Sequence, residues 1–331
     1  MSTQHSKSTW QYELINSITS PEILLDKLQL DKSIYLLPAQ KASKLFGLRV
    51  TESFVSRMEK QNPNDPLLLQ VLPLHAELKK IKGFTPDPLK EKNVNPLSGL
   101  LHKYESRVLI NLISQCAIHC RYCFRREFPY RENNPGKKGW NKIFDYILQR
   151  PEINEVILSG ADPLTASDSL LEEFGKKLLS VTQIKTLRIH TRLPVVLPNR
   201  ITSSFIQWLE DYPLKKIIVI HTNHYNEMSD EVSKKLLLLK KANILLLNHT
   251  VLLKNINDKP EVLMKLHQAL YDSGVMPYYL HLLDKVQGSA HFDVSLRKAK
   301  NIYQMLQKKL PGYLVPKMVR EVAGEKHKIM V

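Results

Sequence analysis

Six apolar runs, each six to eight residues long and mostly set roughly 30 residues apart, constrain the fold of this chain more than any other feature. They are RVLINLIS from Arg107, EVILSG from Glu155, TLRIHT from Thr186, KKIIVIHT from Lys215, NILLLNHT from Asn243 and PYYLHLL from Pro277, with helical periodicity between them. Near-continuous apolar strands suit a parallel sheet covered by helices on its faces. Six βα units fit a partial or complete barrel, with a doubly wound open sheet as the alternative. Ser159, His190, Thr191, His221, Thr222, His249, Thr250 and Asp284 all fall at or near the carboxyl ends of these runs. In a βα barrel that rim is where sites are built.

The first hundred residues have a different character. Ser20 and Pro21 are expected to open a helix as cap and first residue, with Leu24, Leu25 and Leu28 on its apolar face. NPNDPLLLQVLP and FTPDPLKEKNVNPL then interrupt the pattern with proline, as in a wrapping segment. A composition of 43% hydrophobic and 24% charged residues excludes disorder as the default. Neither a signal-peptide core nor a membrane-length apolar run is visible, so a cytoplasmic location is expected. The net charge of +16 is scattered without a basic block, so it reads as a solvated surface, and direct nucleic-acid binding is not expected.

All three cysteines fall within CAIHCRYC, Cys116, Cys120 and Cys123, directly after the first run. In a reducing compartment such a cluster holds a metal or does redox chemistry. Structural zinc needs four protein ligands, which would bring in His119 or a distant residue, and an iron-sulfur cluster usually takes four cysteines. A four-iron cluster held by three leaves one iron open for chemistry.

The spacing C-x3-C-x2-C, the aromatic Tyr122 before the third cysteine and the βα context resemble the signature of radical S-adenosylmethionine enzymes. That resemblance implies a 4Fe-4S cluster whose open iron chelates S-adenosylmethionine and releases a 5'-deoxyadenosyl radical. GLLHKYESRVLI, CRYCFRR, ILSGADPL, RIHTRLPVVLPNRIT, HTNHYNE, LLDKVQGSAHF and GYLVPKMVREVAGE are similar, in the same order, to blocks of the lysine 2,3-aminomutases. Longer lysine-fermenting members carry a C-terminal extension with further cysteines. Its absence here points to the shorter bacterial branch that acts with elongation factor P.

The resemblance implies a partial (β/α)6-type radical S-adenosylmethionine barrel with a helical N-terminal wrapping segment. Residues 1–100 would be the wrapping segment, 101–290 the barrel core and 291–331 a C-terminal segment carrying the cofactor lysine. It also implies pyridoxal 5'-phosphate, held by Lys328 by register from Glu321, with Lys326 as the competing choice. Lys103, Tyr104 and Arg107 match positions around the cofactor phosphate. Arg125 matches the partner of the substrate carboxylate, and Asp284 and Glu321 match the pair that holds the far ammonium of free L-lysine. Ser159, Gly160 and Asp162 occupy the place of the S-adenosylmethionine loop, where Ala161 departs from the usual glycine.

The implied function is conversion of free L-lysine to β-lysine for modification of elongation factor P. The implied partners are that factor, its lysyl ligase and a reductant protein such as flavodoxin. A general metabolic lysine 2,3-aminomutase is the alternative. An RNA-modifying radical enzyme would need a further cysteine, and a non-catalytic iron-sulfur or zinc protein would leave Asp284 and Glu321 unexplained.

Overall fold

The computed structural model describes residues 9–331. Its helices are α1 Thr9–Ile15, α2 Pro21–Lys27, α3 Lys32–Ser43, α4 Glu52–Val55, α5 Gly136–Leu148, α6 Asp168–Leu178, α7 Leu193–Val196, α8 Ser203–Asp211, α9 Asp230–Lys241, α10 Pro260–Asp272 and α11 Leu296–Lys309. Nine strands form one sheet in sequence order: β1 Leu100–Tyr104, β2 Arg107–Ile110, β3 Glu155–Leu158, β4 Thr186–Thr191, β5 Lys215–His221, β6 Leu245–Val251, β7 Met276–His281, β8 Lys317–Arg320 and β9 Ile329–Met330.

Every pairing from β2 to β8 is parallel, while β1 and β9 pair antiparallel at the two ends and not with each other. The architecture is therefore an open, partial α/β barrel. Its parallel part has one strand more than the six apolar runs indicated, because β8 is only the short KMVR within the C-terminal segment. RVLINLIS also stops being strand at Ile110, where the side chain of the buried Asn111 turns to the Asn133 carbonyl at 2.8 Å.

Strand β4 shows how the sequence sorts its two faces: Leu187, Ile189 and Thr191 are buried against the helices, while Thr186, Arg188 and His190 on the other face are half-buried. The concave face is thus the polar one. Four covering helices begin with hydroxyl caps, as Ser167, Thr202, Ser229 and Ser295 accept from the amides of Leu170, Phe205, Val232 and Lys298. Three of these helices, α6, α9 and α11, end in paired lysines, which favour the negative helix end and account for part of the scattered basic charge. At α2 the expected proline start and the burial of Leu24, Leu25 and Leu28 hold, but Ser20 makes no side-chain cap bond.

One apolar core runs from Trp10 to Met318, so the N-terminal helices share it with the sheet. Burying a single leucine of that interface contributes about 1.5–3 kcal/mol. No helix among the described residues is long and apolar enough to cross a membrane.

Candidate active site at the barrel rim

The loop after β2 carries the three cysteines, and the N-terminal segment fixes its backbone. His119 N–H donates to the Arg49 carbonyl and Arg121 N–H to the Gln70 carbonyl, both at 2.9 Å. The fully buried Arg121 donates to both carboxylate oxygens of Glu77 at 2.9 and 2.6 Å and lies over the Phe46 ring. Removing one partner of such a buried pair costs about 3–5 kcal/mol. His119, the fourth-ligand candidate in the zinc reading, is stacked on Phe46, with Nδ1 2.8 Å from the Gly47 carbonyl.

Cys116, Cys120 and Cys123 are all unpaired and half-buried. Burial pushes the Cys116 thiol up and that of Cys123 to about 11. Among the described residues no three His, Cys, Asp or Glu side chains lie close enough together to share one metal ion. Thiolates that each bind a different iron need no such convergence. Three thiols on one loop suit a cationic cluster, whose charge favours the thiolate form at Cys116 and Cys123, where burial otherwise favours the thiol. The guanidinium of Arg192 donates to Cys120 Sγ at 2.7 Å.

Histidines from alternate strands identify the lumen. His190 on β4 and His249 on β6 have ring centroids 5.2 Å apart although β5 lies between their strands, so both project from the concave face. His281 on β7 lies 5.0 Å from His249. Their Nε2 atoms are buried and make no hydrogen bond with any described residue. Burial first, then neighbouring cations including Lys328, holds all three imidazoles neutral, with His281 down to about 3. Orphaned polar atoms on a concave wall suit a polar ligand.

At the mouth, Glu321 follows β8 and Lys328 precedes β9. Glu321 Oε1 accepts from Lys103 Nζ at 3.0 Å and Tyr104 Oη at 2.7 Å, and Oε2 accepts from Lys328 Nζ at 2.5 Å. Burial alone would raise the Glu321 carboxyl, but Lys328, Tyr104 and Lys103 outweigh it and hold the group at about 2. Arg107 lies 4.2 Å from the Tyr104 ring centroid, completing a cationic patch on the β1–β2 edge. Lys328 lies over Tyr279, whereas Lys326 is exposed. The tail that carries Lys328 is tied down by the β8–β9 pairing and by Val331 N–H to the Met318 carbonyl.

Asp284, three residues beyond β7, accepts no side-chain hydrogen bond from any described residue. Burial and the neighbouring Glu321 push its carboxyl up to about 7, with Lys328 opposing and Glu91 adding a further push. Arg125 lies over Phe124 and donates from Nε and Nη2 to the two oxygens of Glu91, both at 2.7 Å. That side-on pairing leaves Nη1 free for a second carboxylate. Because Asp284 feels Glu91, and His190 feels both Lys328 and Arg125, the four charged groups share one electrostatic neighbourhood.

The loop after β3 contains the SGAD turn. Gly160 has φ of +107°, and a Cβ there would lie 2.6 Å from Asn111 Oδ1, so glycine is required. Ala161 is buried and has no positive φ, which explains how the chain accepts a methyl at that position. Ser159 donates its amide to the Ile110 carbonyl at 3.2 Å. Asp162 is wholly engaged with the protein, its oxygens taking Thr191 Oγ1 at 2.6 Å and the amides of Leu164 and Arg192 at 3.1 and 2.7 Å. Its carboxylate therefore orders the loop, and a ligand here would meet backbone.

Glu91, Arg192, Tyr279 and His281 are site residues that the sequence patterns did not single out. Arg192 and His281 were within reach of such patterns, one directly after a strand-end threonine and one two residues after Tyr279 on the same strand face. Glu91 had no local signal, since it opens a single 3-10 turn, Glu91–Val94, in a proline-broken segment 34 residues before its partner.

A parallel barrel left open at one side, with a thiol loop after its first parallel strand and charged side chains gathered at the strand ends, is the architecture of a barrel enzyme with its site at the rim. The chain is 45% identical over 323 residues to L-lysine 2,3-aminomutase of Escherichia coli, covering 98% of this chain and 94% of that one. It is 46% identical over 324 residues to the Haemophilus influenzae protein of the same name, covering 98% and 96%. With that of Clostridium subterminale it shares 34% over 317 residues, covering 95% and 76%. No family model matches the chain. Among solved structures, Streptococcus suis SuiB bound to S-adenosylmethionine aligns at a TM-score of 0.49 and 14% identity, over 70% of this chain and 53% of that one. The chain belongs to the L-lysine 2,3-aminomutase family.

Proposed function

We propose that the protein is an isomerase that converts free L-lysine to β-lysine by moving the amino group from C2 to C3. The observation that carries this reading is the gathering of Arg125, Asp284, Glu321 and Lys328 at one barrel mouth, in a chain that matches lysine aminomutases over nearly its whole length. Anions at one end and an arginine with a free edge at the other suit a diamino acid.

The residues fit three cofactors: Cys116, Cys120 and Cys123 a 4Fe-4S cluster, the Ser159–Asp162 turn S-adenosylmethionine, and Lys328 with Lys103, Tyr104 and Arg107 pyridoxal phosphate. When bound, the first two supply a carbon radical that takes a hydrogen atom, and the third supplies the carbon to which the migrating nitrogen is attached. The chain's own task is positional. Arg125 presents its Nη1 edge to the substrate carboxylate, and Glu91 fixes the guanidinium plane. Asp284, which no described side chain occupies, would accept the distal ammonium, with Glu321 as the second carboxylate beside it. The neutral imidazoles of His190, His249 and His281 line the lumen without competing for the carboxylate.

The product is read as the supply for β-lysylation of elongation factor P, with its lysyl ligase downstream, a reductant protein such as flavodoxin upstream and a cytoplasmic location. The same reading treats residues 1–100 as a wrapping segment, 101–290 as the barrel and 291–331 as the lysine-bearing segment. It is supported by the grip of Phe46, Gly47, Gln70 and Glu77 on the cysteine loop. Anaerobic reconstitution with iron, sulfide, pyridoxal phosphate, S-adenosylmethionine, dithionite and free lysine, followed by product analysis, tests the reading. β-Lysine formed without elongation factor P supports it. Rearrangement only of lysine already attached to the factor overturns the free-lysine assignment.

A further inference from the structure

We propose that Arg192 is the positioning residue that sets the reduction potential of the cluster, through its hydrogen bond to Cys120 and its charge balance with Glu227. The proposal rests on Cys116, Cys120 and Cys123 being the cluster ligands. Arg192 directly follows β4, and its own amide is held by Asp162 Oδ2 at 2.7 Å, so the residue has little freedom at its root.

The side chain is 5% exposed and works as a hub. Nη1 donates to Cys120 Sγ at 2.7 Å and to Tyr122 Oη at 2.8 Å. Nη2 donates to Gln70 Oε1 at 2.6 Å and Glu227 Oε2 at 2.9 Å, while Nε is buried without a partner among the described residues. Glu227 is fully buried and is held from its other oxygen by the amides of Asn223 and His224 and by Gln70 Nε2, at 2.9, 3.1 and 3.0 Å. The pair is therefore a fixed dipole with its positive end on the sulfur and its negative end turned to another set of donors.

An arginine needed only to tie elements together would be satisfied by Glu227, Gln70 and Tyr122. The sulfur contact is an addition with an electronic consequence. Reduction places one more electron on a centre whose thiolates are already anionic. An N–H donor and a positive charge at one of those thiolates stabilise the reduced form more than the oxidised one and raise the potential. Burial keeps solvent ions from screening this effect.

The test compares wild-type protein with Arg192→Lys, Glu227→Gln and the double variant Arg192→Met/Glu227→Gln, which removes the pair without stranding a buried charge. Each is reconstituted anaerobically, assayed for iron and titrated with dithionite while the reduced cluster is followed by electron paramagnetic resonance. The double variant should hold wild-type iron yet show a reduced-to-oxidised ratio at least tenfold lower at a fixed potential, which is 59 mV for a one-electron couple. Glu227→Gln should move the ratio the other way, and Arg192→Lys should fall between wild type and the double variant. A double variant with full iron and an unchanged ratio overturns the proposal. Should that variant lose its iron, Glu227→Gln decides alone, and an unmoved or lowered ratio there is equally fatal. Wild-type protein that binds no iron overturns the cluster reading itself, which separates the two failures.

Discussion

Lys328 donates to Oε2 of Glu321 while Lys103 and Tyr104, from the opposite end of the sheet, occupy Oε1. One carboxylate thus joins the proposed cofactor lysine to the proposed phosphate patch. Lys326, two residues earlier, is exposed and makes no such contact. Borohydride trapping with pyridoxal phosphate, followed by peptide mapping, should place the label on Lys328. A label on Lys326, or on neither lysine, would show the assignment to be wrong.

Asp284 and Glu321 should respond to pH in opposite directions. Glu321 is held at about 2 against an ordinary 4.5, so its ionisation favours the fold above about pH 4.5 and that contribution fades as pH falls toward 2. Asp284 is pushed up to about 7 from 3.8, so charging it costs stability progressively between those values and fully above pH 7. At pH 8, Asp284→Asn should therefore stabilise the protein by about 2–4 kcal/mol, and Glu321→Gln should destabilise it by about 3 kcal/mol. Denaturant unfolding at pH 5 and pH 8 measures both. Lysine turnover should collapse in each variant.

The same raised carboxyl predicts proton release. An arriving ammonium requires Asp284 to be ionised, so at pH 6 lysine binding should expel close to one proton, and at pH 8 very little. Calorimetry of the holoenzyme in two buffers of different ionisation enthalpy reads the number directly. Equal release at both pH values would contradict the assignment.

Glu91 holds Arg125 side-on at two points. Glu91→Gln keeps one acceptor and loses the charge, so KM for lysine should rise about tenfold or more, about 1.4 kcal/mol, with a smaller change in kcat. Glu91→Asp should recover part of the loss. Tighter lysine binding in Glu91→Gln would mean that Glu91 competes with the substrate and does not orient its partner.

Each of Cys116, Cys120 and Cys123 changed to serine should fail to retain a full complement of iron after anaerobic reconstitution, since two thiolates give no three-point attachment. Full iron content in any one of the three variants would remove that cysteine from the site.

The barrel could be read from the sequence because both-face burial writes itself as continuous apolar runs: β2 to β7 each coincide with one of the six, with β6 and β7 overrunning theirs by one residue. KMVR is too short and too polar at its ends to register as a strand, so β8 escaped, and with it the antiparallel closure by β9. At the candidate site, the proposed residues with a sequence address are those at strand ends or in motifs: the cysteines, Gly160, Asp284 and Lys328. Glu91, Gln70 and Glu227 have none, because each is defined by a partner 34 to 157 residues away, and no local pattern carries such a pairing.

The ends of the sheet meet through Lys103, Tyr104 and Glu321 and not through a ladder of amides. A backbone ladder carries no titrating group, whereas a joint of ammonium, phenol and carboxylate weakens as the carboxylate is protonated. The wall of this barrel therefore has one adjustable seam. Its tightness depends on the charge of Glu321, the one carboxylate that Lys103, Tyr104 and Lys328 share.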